Sequence, residues 1–91
     1  MNEGKVSVVI INELGLHARA AAAFVKEASK FNSEIIVIKD GIKADGKSIM
    51  SLMMLAAPKG CSLEIIATGD DYEEAIKALK LLVENRFGED K

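Results

Sequence analysis

The sequence predicts an α+β fold in which a single sheet carries helices on one face. Three observations point there. Short β-branched segments such as 5–11 and 34–39 read as strands. Two longer stretches, near 18–31 and 70–83, instead repeat their apolar residues at helical spacing. The two kinds alternate in the order β-α-β-β-α-β-α, and helices that cross between short strands pack as a second layer on the sheet. A two-layer sandwich with one four-stranded sheet and a ferredoxin-like split βαβ arrangement fit this order equally well.

Each element has a local reason. Lys5-Val6-Ser7-Val8-Val9-Ile10-Ile11 is β-branched and partly alternating, and Asn12 to Gly15 forms the loop that follows. Ala18, Ala21, Ala22, Val25 and Ala28 then recur on one helical face, widened by Phe24 and Phe31. So many alanines let the helix lie close against a sheet, while Lys26, Glu27 and Lys30 stay toward water. Glu34 to Lys39 is the second strand, and Asp40-Gly41 is a hairpin turn because both positions tolerate positive φ. Ile42-Lys43-Ala44 returns as a short third strand.

Asp45 to Ser48 breaks the sheet, with Ser48 placed to cap a short helix over Ile49 to Leu55 that ends before Pro58 and Gly60. Leu63 to Ala67 is the fourth strand. Asp70 begins the last helix with Glu73 as its capping-box partner. The buried stripe there is Tyr72, Ile76, Leu79 and Val83, with Ala75 and Leu82 beside it, and Glu73 and Lys77 form an i, i+4 pair. Gly88 to Lys91 reads as a polar tail. One sheet face stays open, leaving Ser7, Val9 and Ile11, or Ile35 and Val37, half covered.

Composition excludes several function classes. The 91 residues make one domain, 1–91, with room for one hydrophobic core. A net charge of −2, scattered basic residues and few aromatics give no basis for a nucleic-acid partner. One cysteine, Cys61, excludes an internal disulfide and suits a reducing cytoplasm. With one histidine and one cysteine no metal site is expected, and no cofactor either. No stretch has the length of a membrane span, and the first residues lack a signal-peptide pattern, so no membrane association is expected.

The chemistry points to His17, the single histidine, in Gly15-Leu16-His17-Ala18-Arg19 at the head of the alanine-rich helix. The first N–H groups of a helix have no partner and the dipole is positive there, so an imidazole at that place is set against a ready-made anion site. Neutral imidazole can attack phosphorus, and the Arg19 guanidinium can add charge-assisted hydrogen bonds to a phosphate. Ser48, after Gly46-Lys47, is by itself a plain N-cap. Ile49, Met50, Leu52, Met53 and Met54 are more than so short a helix can bury, which leaves part of the set as a docking patch.

These residues resemble the HPr family, the histidine-containing phosphocarriers of the bacterial phosphoenolpyruvate-dependent phosphotransferase system. The resemblance rests on Gly15-Leu16-His17-Ala18-Arg19, on Phe24-Val25-Lys26-Glu27-Ala28, on Lys47-Ser48-Ile49-Met50, and on Lys59-Gly60 and Ala67-Thr68-Gly69. Met53-Met54-Leu55 and Arg86-Phe87-Gly88-Glu89-Asp90 are also similar to the nitrogen-related branch.

The resemblance implies an open-faced β-sandwich, with a four-stranded antiparallel sheet and three helices on one face. It implies that His17 takes a phosphoryl group from phospho-Enzyme I on Nδ1 and passes it to an EIIA-type domain during sugar uptake. Arg19 would stabilise the phosphohistidine, and Ala20, Ile49, Leu52 and Met53 would form the docking surface. Ser48 would be the site of a dedicated kinase/phosphorylase.

The implied protein is a cytoplasmic monomer that works through partner enzymes and is not itself an enzyme. The family has proline after the arginine, and here Ala20 stands there. That change costs at most about 0.4–1 kcal/mol through the unfolded chain and restores an N–H in the first helical turn. The alternatives are a regulatory paralogue acting through phospho-Ser48 and a nitrogen-branch phosphocarrier; a ferredoxin-like small-ligand or RNA-binding domain is disfavoured by the acidic balance and the missing aromatic platform.

Overall fold

Four β-branched segments pair into one antiparallel sheet, described by a computed structural model that covers residues 2–91. In chain order the elements are β1 (Glu3–Val9), α1 (Ala18–Ala28), β2 (Glu34–Lys39), β3 (Ile42–Asp45), α2 (Ile49–Met53), β4 (Ser62–Thr68) and α3 (Tyr72–Glu84), followed by a 3₁₀ turn at Arg86–Gly88. The spatial strand order is β1-β4-β2-β3. This is the open-faced sandwich expected from the resemblance.

Register decides which side chains face the helices. Val8 lies opposite Leu63, and Val37 and Val6 flank Ile65 on β4. Val8, Leu63, Ile65, Ala67, Ile35, Val37 and Ala44 are buried under the helices. Ile35 and Val37 were expected on the open face, and the structure corrects this. Their partners Ala67 and Ile65 face the helices, so pairing places both in the core and turns Ile36 and Ile38 outward. Ser7, Val9 and Ile11 are exposed, in keeping with an open face.

α1 buries Ala20, Ala21, Phe24 and Ala28, whereas Ala18 and Ala22, expected inside, are exposed. An unbroken run from Ala20 to Ala23 carries no phase information, so only packing of Phe24 selects the face. α3 buries Ala75, Leu79 and Val83. The Asp70–Glu73 capping box does not form, because Asp71 is the N-cap. Its carboxylate accepts hydrogen bonds from the backbone N–H of Asn32 (2.8 Å) and Ser33 (2.9 Å) and from the Ser33 hydroxyl, tying the start of α3 to the α1–β2 connection. In place of Glu73–Lys77, the helix pairs Lys80 with Glu84 at 3.9 Å. Among the described residues no helix is long and apolar enough to cross a membrane.

The Asp71 clasp makes stability depend on acid. The Ser33 hydroxyl and the Asn32 N–H hold its carboxyl below the ordinary 3.8, outweighing the upward push of burial. A lowered folded pKa contributes stability that is present above the ordinary value and is lost as pH falls through the lowered one. Asp71→Asn is expected to lower the urea midpoint at neutral pH and to flatten the decline below about pH 4, measured by urea unfolding across that range.

Candidate functional site

The loop between β1 and α1 is pinned before it reaches His17. Ile10 is buried and exchanges backbone hydrogen bonds with Gly60 (2.7 Å) and Cys61 (2.9 Å). Gly15 adopts a φ of +67°, and a Cβ there would lie 2.6 Å from the Ala57 carbonyl oxygen. Only glycine makes both the left-handed turn and the close approach. The next residue, Leu16, donates its N–H to that same carbonyl at 2.9 Å.

His17 is then the N-cap of α1, with extended backbone (φ −78°, ψ −179°). Its carbonyl accepts the first helical bond, from the N–H of Ala21 at 2.8 Å. The N–H groups of Ala18, Arg19 and Ala20 precede that bond and have no partner inside the helix. The imidazole makes no capping hydrogen bond, and the first turn carries no acidic residue. The ring is therefore not spent on closing its own helix.

What the ring does contact lies at the other end of the sequence. Nε2 is hydrogen-bonded to Oε2 of Glu89, with the His17 side chain 28% and the Glu89 side chain 15% exposed. The other Glu89 oxygen accepts from Asn12 Nδ2 at 2.9 Å, and Asn12 Nδ2 also donates to the Gly15 carbonyl at 2.8 Å. Burial pushes the Glu89 carboxyl up. The hydrogen bonds from His17 and Asn12 and the charges of His17 and Arg19 together outweigh it and hold the group below its ordinary value. Glu89 is therefore a carboxylate at neutral pH, an acceptor at both oxygens.

The segment after α3 holds Glu89 in place. Phe87 is buried, Arg86 and Phe87 both take positive φ (56° and 55°), and the Lys91 carbonyl accepts from the Glu13 N–H at 2.8 Å. The expected polar tail thus folds over the site. Arg19 is exposed and lines an open cleft of about 430 Å³ with Glu13, Leu14 and residues 87–91. A second depression, about 320 Å³, joins His17 to Leu14, Leu16, Met53 and residues 56–58.

The docking set divides. Ile49 and Met53 are exposed, together with Met50 (75%), Met54 and Leu14. Ala20 and Leu52 are corrected: both are fully buried, Ala20 because that side of the first turn faces the core and Leu52 because it is the inward residue of a five-residue helix. Ser48 caps α2, its hydroxyl accepting from the Ser51 N–H at 3.2 Å, and it lines neither depression. Reading the sequence missed Asn12, Leu14 and Glu89. The Arg86–Asp90 ending attracted notice for its likeness alone, and nothing in its spacing pointed to His17.

A family model described as the PTS HPr component phosphorylation site matches residues 5–85. The chain belongs to the HPr family. It is 52% identical over 85 residues to the phosphocarrier protein HPr of Neisseria meningitidis, covering 93% of this chain and 96% of that one. The crystal structure of HPr-C-His from Thermoanaerobacter tengcongensis superposes with a TM-score of 0.92 at 51% identity, covering 97% of this chain and 99% of that one. An HPr dimer from the same organism matches with a TM-score of 0.76 at 54% identity, over 92% and 97% of the two chains. In this member of the family the imidazole of His17 stands at a helix start, backed by the Glu89 carboxylate, with exposed Met53 and Leu14 nearby.

Gly15→Ala tests the loop that aims the imidazole. A left-handed alanine costs about 1–2 kcal/mol, and contact with the Ala57 carbonyl adds to it. The expected outcome is a lower thermal midpoint together with a changed NMR environment of the His17 ring.

Proposed function

We propose that the chain is a phosphocarrier of the phosphotransferase system. His17 accepts a phosphoryl group from phospho-Enzyme I and donates it to an EIIA-type domain during sugar uptake, in the cytoplasm. The observation that carries this reading is the imidazole at the N-cap of α1, unused in capping, beside a first turn free of acidic residues.

The chemistry needs little more than placement. A ring-nitrogen lone pair of His17 attacks phosphorus, the N–P bond forms, and the bond to the donor breaks with its electron pair leaving on the donor. Negative charge on the phosphoryl oxygens is met by the unpaired first-turn N–H groups and by the exposed guanidinium of Arg19. No substrate is turned over by the carrier alone, so the catalytic cycles belong to its partners. Met53 beside His17, with exposed Ile49 and Met50 on the same short helix, offers an apolar shelf for each partner in turn.

A second reading is favoured by the position of Ser48 at the head of the helix that bears this shelf. Phosphate added there by a kinase/phosphorylase would set about two negative charges beside Ile49 and Met50 and oppose docking of an apolar partner. Whether sugar or nitrogen EIIA proteins receive the phosphate is decided by offering both classes to the phosphorylated carrier.

Incubation with Enzyme I and phosphoenolpyruvate is expected to give one acid-labile phosphate per chain, absent in His17→Ala. Its absence from the unaltered protein would sink the relay. Arg19→Ala removes charge-assisted hydrogen bonds worth about 1.5–3 kcal/mol, so transfer should slow roughly 10- to 100-fold with the fold intact. Met53→Asp and Ser48→Asp should raise the KM for Enzyme I more than they lower kcat, measured by steady-state phosphorylation.

A further inference from the structure

The geometry points to Glu89 as a positioning residue that fixes which nitrogen of His17 carries the proton. This rests on the phosphoryl-acceptor role proposed for His17, and it adds a reason for Nδ1 to be the atom that reacts.

The argument follows one chain of hydrogen bonds from a group whose polarity is fixed. The Gly15 carbonyl can only accept, so the side chain of Asn12 presents Nδ2 to it, at 2.8 Å. The second hydrogen of Nδ2 points to Glu89 Oε1, at 2.9 Å. Turning the amide over would set its oxygen against two acceptor oxygens. The orientation therefore holds, although buried Asn12 Oδ1 has no hydrogen-bond partner among the described residues. Glu89 is ionised and accepts at both oxygens, so Oε2 requires a donor from His17 Nε2. In the neutral ring the proton is then on Nε2, and Nδ1 keeps its lone pair.

This tautomer is the one ready for transfer. The Nδ1 lone pair forms the N–P bond, and the bond from phosphorus to the donor breaks with its electrons leaving on the donor. The Nε2 proton stays where it is, held by the carboxylate against the positive charge the ring acquires. In the opposite tautomer Nδ1 would first have to lose a proton. Glu89 can serve in this way because its segment is anchored on both sides, by buried Phe87 and by the Lys91–Glu13 backbone bond.

One substitution separates this role from simple packing. In Glu89→Gln the side chain keeps its shape, and its oxygen must face the Asn12 Nδ2 donor. That leaves the amide NH₂ pointing at His17 Nε2, which now has to accept, and the ring proton moves to Nδ1. Glu89→Ala, by contrast, removes the constraint and lets water meet both nitrogens. The glutamine variant should thus be the more damaging, the reverse of what loss of packing predicts.

His17 is the only histidine, so ¹⁵N NMR of the unphosphorylated chain at alkaline pH reads a single imidazole. The expected result is a protonated Nε2 in the unaltered protein, a protonated Nδ1 in Glu89→Gln and an exchanging mixture in Glu89→Ala. With Enzyme I and phosphoenolpyruvate, Glu89→Gln should accept phosphate about tenfold more slowly than the unaltered protein and more slowly than Glu89→Ala. An unchanged tautomer in folded Glu89→Gln overturns the assignment. Failure of the unaltered protein to take phosphate overturns the relay instead, and the tautomer measurement still decides the role of Glu89.

Discussion

The packing of α1 against α2, α3 and the 3₁₀ turn is the contact on which the remainder of the molecule depends. Ala20, Ala21, Phe24 and Ala28 share one buried core with Ile35, Val37 and Ile65 of the sheet. Three of the four helix residues are alanines, so the helix backbone comes near its neighbouring helices and Phe24 supplies the volume on that face. Close packing of this kind resists sliding and rolling of the helix. Its first turn, and the imidazole at its N-cap, inherit that rigidity.

The loop ahead of α1 is constrained from the opposite direction. Hydrogen bonds from residues 10 and 16 to the backbone near residues 57–61 stitch it to the connection between α2 and β4. His17 therefore stands where two rigid pieces meet, beside the surface of α2. A phosphoryl carrier with no deep pocket relies on such placement, because transfer needs aligned atoms and fixed donors more than enclosure. The exposed methionines nearby fit the same demand, since an unbranched thioether side chain adapts to surfaces of different shape.

Local chemistry made much of this legible. β-Branched runs located the strands, Asp40-Gly41 located the hairpin, and glycine, histidine and arginine at the head of an alanine-rich segment located the site. The errors have specific causes. Ile35 and Val37 were placed on the open face because a run of four β-branched residues at 35–38 does not reveal which parity is buried. Ala18 and Ala22 were put inside because alanine repeated at adjacent positions leaves the phase of the helix undefined. Ala20 and Leu52 were assigned to a docking surface on likeness, and their burial is a consequence of packing around them.

By itself the sequence determined the candidate nucleophile, the helix that presents it, the arginine two residues on, and the order of elements, because each depends on neighbours within a turn or a strand. The ligand of the His17 ring was decided by the tertiary structure alone. Glu89 is 72 residues away, in a stretch whose composition reads as solvated tail. It reaches the ring because buried Phe87 draws the segment back across the site, and because Asn12 offers a hydrogen-bond donor to its carboxylate there. Such a contact is fixed by the folded arrangement of three separate segments, and no local pattern records it.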